Sequence, residues 1–217
     1  MRTASRAPGK CVWSRPATPT LGLLPVLALF LIQVTTFTHA ATVRTPLDLK
    51  SLMDELRQVQ QVDADYTEIL ESDLLATLIS THGRLVYTAP DRIRKTGEGG
   101  EEVEIVGDRL TVRQGGSERV ISIRDYAPLE RLVVALRASL AGDLERLRCD
   151  YHLDFRTWDG GWTLALRPQE RTVVPVFERI EFAGRGTLIE RMMIEESAGD
   201  RRTLNLQVRS LRPAITP

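Results

Sequence analysis

The chain's 217 residues balance 29 Lys and Arg against 29 Asp and Glu, and they include two cysteines and three histidines. A length of this order suits one domain. With no excess of positive charge there is no basic face for a phosphate backbone, which argues against nucleic acid as a partner.

Residues 1–40 follow the order of a secretory signal peptide. Arg2, Arg6, Lys10 and Arg15 form a basic start, with no acid before Asp48. Leu21–Val34 is apolar apart from Gly22, Pro25 and Gln33, and the small Ala40 stands at the expected cleavage position before Ala41. The apolar run is short for a spanning helix, which needs about 20 apolar residues. An uncleaved N-terminal anchor is the alternative. Cys11 precedes the run, so it is not the lipid-bearing cysteine that follows that run in a bacterial lipoprotein precursor. The leader holds four bases and no acid, so cleavage would leave residues 41–217 as one exported domain with four more acids than bases. Cys149 would then be alone, which leaves no intramolecular disulfide. It stands between a helical pattern and a strand and reads as a small buried apolar residue rather than a reactive thiol.

Thr45-Pro46-Leu47-Asp48 reads as a helix start, with Thr45 as N-cap and Pro46 at the first helical position. Leu49, Leu52, Met53, Leu56 and Val59 recur at helical spacing to about Gln60. The period then changes to two. Strands are expected over 64–71 and 76–88 around a turn near Ser72-Asp73, and Ala89-Pro90-Asp91 makes the next corner. Short strands at about 92–96, 102–106, 109–113 and 118–123 are separated by glycine turns. A second helix carries the stripe Leu129, Leu132, Val133, Leu136 and Leu140. Gly142 breaks it, and Asp143 caps a last short helical turn. Strand alternation returns with Tyr151, Leu153 and Phe155 on one face and His152, Asp154 and Arg156 on the other. Asp159-Gly160-Gly161 is a hairpin turn, followed by Trp162, Leu164 and Leu166. Strands near 176–183 and 187–195 flank Gly184-Arg185-Gly186, and Leu204, Leu206 and Val208 alternate in the last strand.

Roughly ten strands with one wet and one dry face, and two amphipathic helices to cover the dry one, predict a mainly β fold with α. It is an incomplete (half-open) antiparallel β-barrel under a helical cover. A closed barrel with peripheral helices and a sandwich are the alternatives. Catalytic patterns are weak. His82 has no acid or nucleophile at a suggestive spacing, and the His152–Asp154 pair has no third ligand. Glu101, Glu102 and Glu104 read as a surface charge run. No nucleophile elbow, Cys-x-x-Cys or phosphate loop occurs, so no enzyme is expected.

Residues 83–94 (GRLVYTAPDRIR) resemble the G-x-L-x-Y-x-x-P-x-x-hydrophobic pattern of the LolA family of periplasmic lipoprotein carriers. Asp65-Tyr66-Thr67-Glu68 after a helix, Gly107-Asp108-Arg109-Leu110-Thr111-Val112, Ala183 to Leu188 and Asp200-Arg201-Arg202-Thr203 are similar to further family motifs in the same order. The likeness is greatest to divergent LolA-like proteins encoded beside aryl-polyene and related lipid-pigment genes in Gram-negative bacteria. It implies a carrier built as an incomplete barrel with a helical lid around a cavity for acyl chains, working in the periplasm without a cofactor, and a monomer is expected. Such a carrier would take an acylated lipoprotein or other lipid cargo from an inner-membrane exporter towards the outer membrane and an acceptor there. Those carriers commonly place an arginine, linked to cargo handover, directly before the motif proline, whereas this chain has Ala89.

Burying hydrocarbon contributes about 0.8 kcal/mol per methylene, so an acyl carrier needs an apolar cavity with polar chemistry only at its mouth. The dry-face candidates are Leu85, Tyr87, Ile93, Val112, Leu153, Phe155, Trp162, Leu164, Leu204 and Leu206, with Leu132, Val133, Leu136 and Leu140 from the covering helix. Ordinary core is the competing account of each. The competing function is a periplasmic sensor or adaptor that uses the same half-barrel to bind a protein segment. A carrier needs a movable cover, whereas an adaptor would present a fixed apolar patch or strand edge.

Overall fold

Asp48 opens the first helix of the computed structural model, which describes residues 47–72, 78–169 and 177–214. Its carboxylate accepts hydrogen bonds from the Ser51 backbone N–H at 2.8 Å and the Ser51 hydroxyl at 3.1 Å, which satisfies a donor of the first turn that has no partner within the helix. Helix α1 is Leu49–Leu56 and buries Leu52, Met53 and Leu56. Thr45 and Pro46 lie outside the described residues, and Asp48 takes the capping role expected of Thr45. The expected run to Gln60 is also corrected. Val59 is β-branched and buried, and it already opens a strand.

Eleven strands follow: β1 (Val59–Glu71), β2 (Ile79–Thr88), β3 (Arg92–Gly97), β4 (Glu102–Val106), β5 (Arg109–Gln114), β6 (Ser117–Ser122), β7 (Tyr151–Trp158), β8 (Gly161–Pro168), β9 (Phe177–Arg185), β10 (Leu188–Glu196) and β11 (Arg201–Pro213). They form one sheet in the order β6-β5-β4-β3-β2-β1-β11-β10-β9-β8-β7. Every neighbouring pair is antiparallel, and every pair but one is sequential. The exception joins β1 to β11 over a ladder from Val59↔Pro213 to Glu71↔Arg201. Strands β6 and β7 are paired on one side only, so the barrel is incomplete. The predicted turn at Ser72-Asp73 runs into residues outside the described set, and β9 continues through Arg185, which moves the next turn to Gly186-Thr187.

Between β6 and β7 the chain must pass from one edge of the sheet to the other. It does so as a single helical turn at Ile123–Asp125, then α2 (Ala127–Leu140) and α3 (Leu144–Asp150). These helices and α1 cover one face. The larger core cluster joins Leu52, Met53 and Leu56 of α1, Ala135 and Ala138 of α2, and Leu144 and Leu147 of α3 to Trp162, Leu164 and Leu166 of β8 and their neighbours. A smaller cluster holds Tyr87, Ile93, Ile105 and Ile123 beneath Val133.

The other face is wet. Arg84 pairs with Asp63, Arg92 and Arg94 share Glu104, and Arg113 bridges Glu102 and Glu118. Two of the three acids expected as a surface charge run are thus held in cross-strand pairs. Cys149 departs from its expected burial. Helix α3 runs on to Asp150 and buries Leu144 and Leu147, which turns Cys149 outward to an exposed position.

Candidate functional site

Helix α2 lies over the sheet and is fastened at three points. The Tyr151 hydroxyl donates to the Arg131 carbonyl at 3.0 Å, the Arg137 guanidinium donates to the Gly107 carbonyl in the β4–β5 turn, and Arg57 at the end of α1 donates to the Gly142 carbonyl at 3.0 Å. Burial pushes the Tyr151 phenol up to about 12, with Asp150 adding to the shift. Gly142 is required twice over. Its φ is +65°, and a Cβ there would lie 2.0 Å from the Met53 carbonyl oxygen. Small residues sit deepest on α2, at Ala135, Ala138 and Ser139, while the expected stripe of larger residues packs at half-buried positions on either side, except for the deeply buried Val133.

Where α1 and the end of α2 meet the centre of the sheet, an apolar cavity remains. Its floor is Val62 of β1, Leu85 and Tyr87 of β2, and Leu206, Val208 and Leu211 of β11. Leu56 of α1 and Leu140 of α2 close the helical side next to Val59 of β1, and Thr187, Leu188 and Ile189 close the side towards β10. Burial, followed by the Asp91 charge, pushes the Tyr87 phenol up, and its hydroxyl donates to the Pro90 carbonyl at 3.4 Å. The free volume is about 40 Å³, where a single water needs roughly 10–15 Å³ on the same measure. That is space for a few water molecules, so seating a whole acyl chain would need the helices to move outward.

Of the fourteen residues expected to line a cavity, Leu85, Tyr87, Leu140 and Leu206 do so here. Trp162 and Leu164 belong to the larger core cluster, with Leu132, Leu136, Leu153 and Phe155 packed against it. Ile93 and Val133 belong to the smaller one. Leu204 is buried on β11 opposite Glu68 and Met192, and Val112 is half-buried on β5 opposite Val103. The sequence reading missed Val62 and the end of β11. The signal is present in the sequence, because Val62, Ala64 and Tyr66 alternate with the same period as Leu85 and Tyr87.

It also missed a charged cluster on the covered face. Glu68, Lys95 and Arg202 share the strand parity of Tyr66, Ile93 and Leu204, so the pleat turns them inward. Glu68 is 7% exposed. It accepts from Lys95 Nζ on one oxygen and from Arg202 Nη1 at 3.0 Å on the other. Glu196 stands 3.5 Å from Arg202 Nη2, and the Lys95 ammonium lies 4.7 Å over the Tyr66 ring. Burial pushes the Glu68 carboxyl up, but the two hydrogen bonds and their charges outweigh it and hold the group below the usual carboxylate range.

The groups weighed for catalysis lie apart from both features. His82 hydrogen-bonds Thr67 at 3.1 Å on the wet face. His152 is exposed, and the Asp154 carboxylate is taken by Arg156. Among the described residues no three His, Cys, Asp or Glu side chains gather to hold a metal ion.

An incomplete antiparallel barrel with a helical cover, an apolar seam beneath it and one inward charged cluster defines the architecture. The chain is similar in structure to a LolA superfamily protein from Nitrosomonas europaea, with TM-score 0.41 and 10% identity over 79% of this chain and 96% of the other. It is also similar to a DUF1329 family protein from Desulfovibrio piger, with TM-score 0.42 and 10% identity over 78% and 92%. The lipoprotein LppX of Mycobacterium tuberculosis gives TM-score 0.37 and 16% identity over 72% and 93%. No protein-family model and no curated protein matches the chain.

Proposed function

We propose that this protein is an exported carrier that takes up the acyl chains of a lipoprotein or other lipidated molecule and moves it from the inner towards the outer membrane. The observation that carries this is the seam beneath α1 and α2. Eleven of its twelve lining residues are apolar, Thr187 being the exception, and it lies under a cover that leaves through one glycine junction. Hydrocarbon entering it would leave water at about 0.8 kcal/mol per methylene, enough for a single chain to offset the parting of a few lid hydrogen bonds worth about 1 kcal/mol each. Residues 1–40 would direct export and be removed between Ala40 and Ala41.

Native mass spectrometry of the protein recovered gently from the cell envelope, followed by lipid extraction, tests the proposal. A bound acylated species of defined mass is the expected result. An apo mass that persists when acylated lipids are added would reject it. That result would favour the adaptor instead, for which the unpaired outer edge of β6 is the one specific support. Residues Ser117 to Val120 are exposed there, and such an edge can accept an added strand.

A further inference from the structure

We propose that Lys95 and Arg202 form a phosphate site for the head of a lipid whose acyl chain occupies the seam. The inference rests on the carrier reading and names the cargo's polar end. Glu68 spends both carboxylate oxygens on the two cations and is almost wholly enclosed, so it fixes them and offers nothing further to a ligand. The cations themselves still face solvent, with 31% of the Lys95 side chain and 41% of the Arg202 side chain exposed. An ammonium has three N–H donors and a guanidinium five, so a single buried carboxylate leaves most of them unspent. What the cluster presents outward is a set of charged donors, and their natural acceptor is a phosphate oxygen.

Its position fits a lipid head. Leu85 lines the seam and stands directly opposite Lys95 in the β2–β3 ladder, a side-chain separation of about 5 Å. On β11, Leu206 lines the seam, and Leu204 and Arg202 follow it on the same face. A chain lying on Leu85 therefore ends one cross-strand step from Lys95, while Arg202 lies four residues, about 13 Å, along β11 from Leu206. Tyr66, between them, supplies an aromatic floor under Lys95. Glu196 is the acid a phosphate would displace, because it meets Arg202 at only 3.5 Å and is itself 30% exposed.

The test compares phosphatidylglycerol with a diacylglycerol of identical chains, each titrated from mixed micelles into the full protein as the cell processes it. Phosphatidylglycerol is expected to bind about tenfold more tightly, the effect of one charge-assisted hydrogen bond. Lys95→Gln and Arg202→Gln should abolish that preference, with the fold of each variant checked by circular dichroism. Glu196→Gln, which leaves the Glu68 clasp intact, should enlarge it. Equal binding of the two lipids, or a preference untouched by all three substitutions, overturns this inference alone. Binding of neither lipid overturns the carrier reading and this inference with it. Inorganic phosphate that competes as strongly as the phospholipid would mark a free-anion site and also overturn it.

Discussion

Glu68 owes its ionised state to its two partners. A buried carboxylate without them would be neutral, since the cost of desolvating a lone charge exceeds that of binding a proton. Its folded pKa lies below the ordinary 4.5, so its stabilising contribution is complete above that value and is lost as pH falls through the folded one. Glu68→Gln should therefore be less stable than the parent near neutrality. The gap in melting temperature should narrow as the pH falls below the ordinary 4.5 and through the lowered folded value, and a gap that stays constant would show that the carboxylate is not the source. Tyr151 runs the other way. Its pKa is raised to about 12, so its contribution is complete below the ordinary 10 and fades as pH climbs past it. Residue identity made the dry face readable at Trp162, Leu164 and Leu166, all of them buried. It hid Glu68, Lys95 and Arg202, because charged side chains are almost never enclosed unless paired, and their pairing joins strands far apart in sequence.

Helix α2 is held by a few polar fastenings, whereas β1 is bonded along both sides. Local opening should therefore cost less for the helix than for the central strands. In hydrogen exchange, the α2 amides are expected to exchange through openings smaller than global unfolding, with β1 and β11 the last to exchange. Equal protection of α2 and β1 would remove the movable cover. Gly142→Ala tests the hinge end of that cover. A side chain there meets both the positive φ and the Met53 carbonyl, so a loss above about 1 kcal/mol in denaturant unfolding is expected. Sequence periodicity located α2 and its glycine stop. It overran α1, because Val59 fits the helical spacing of Leu52 and Leu56 equally well, and only pairing with Pro213 assigns it to the sheet.

At the scale of the whole molecule, alternation and turn chemistry made the strand number legible to within one, roughly ten expected and eleven found, but left the half-open barrel beside a closed barrel and a sandwich. They could not supply the strand order, since nothing local tells β1 that its partner lies at Arg201–Pro213. Nor could they separate cavity from core. The same dry face is close-packed under Trp162 and loosely closed under Leu206, and that difference depends on where the helices land.

The pairing of β1 with β11 has a bearing on the order of events in a cell. The strand latest in the sequence belongs at the centre of the sheet, not at its rim. On the export route proposed above, β1 to β10 would cross the membrane before the piece that unites them. Until then the chain is two separate meanders, each with its greasy side uncovered. On that route the chain would lean on a holding factor beyond the membrane, and the arrival of a single strand would release the chain from it.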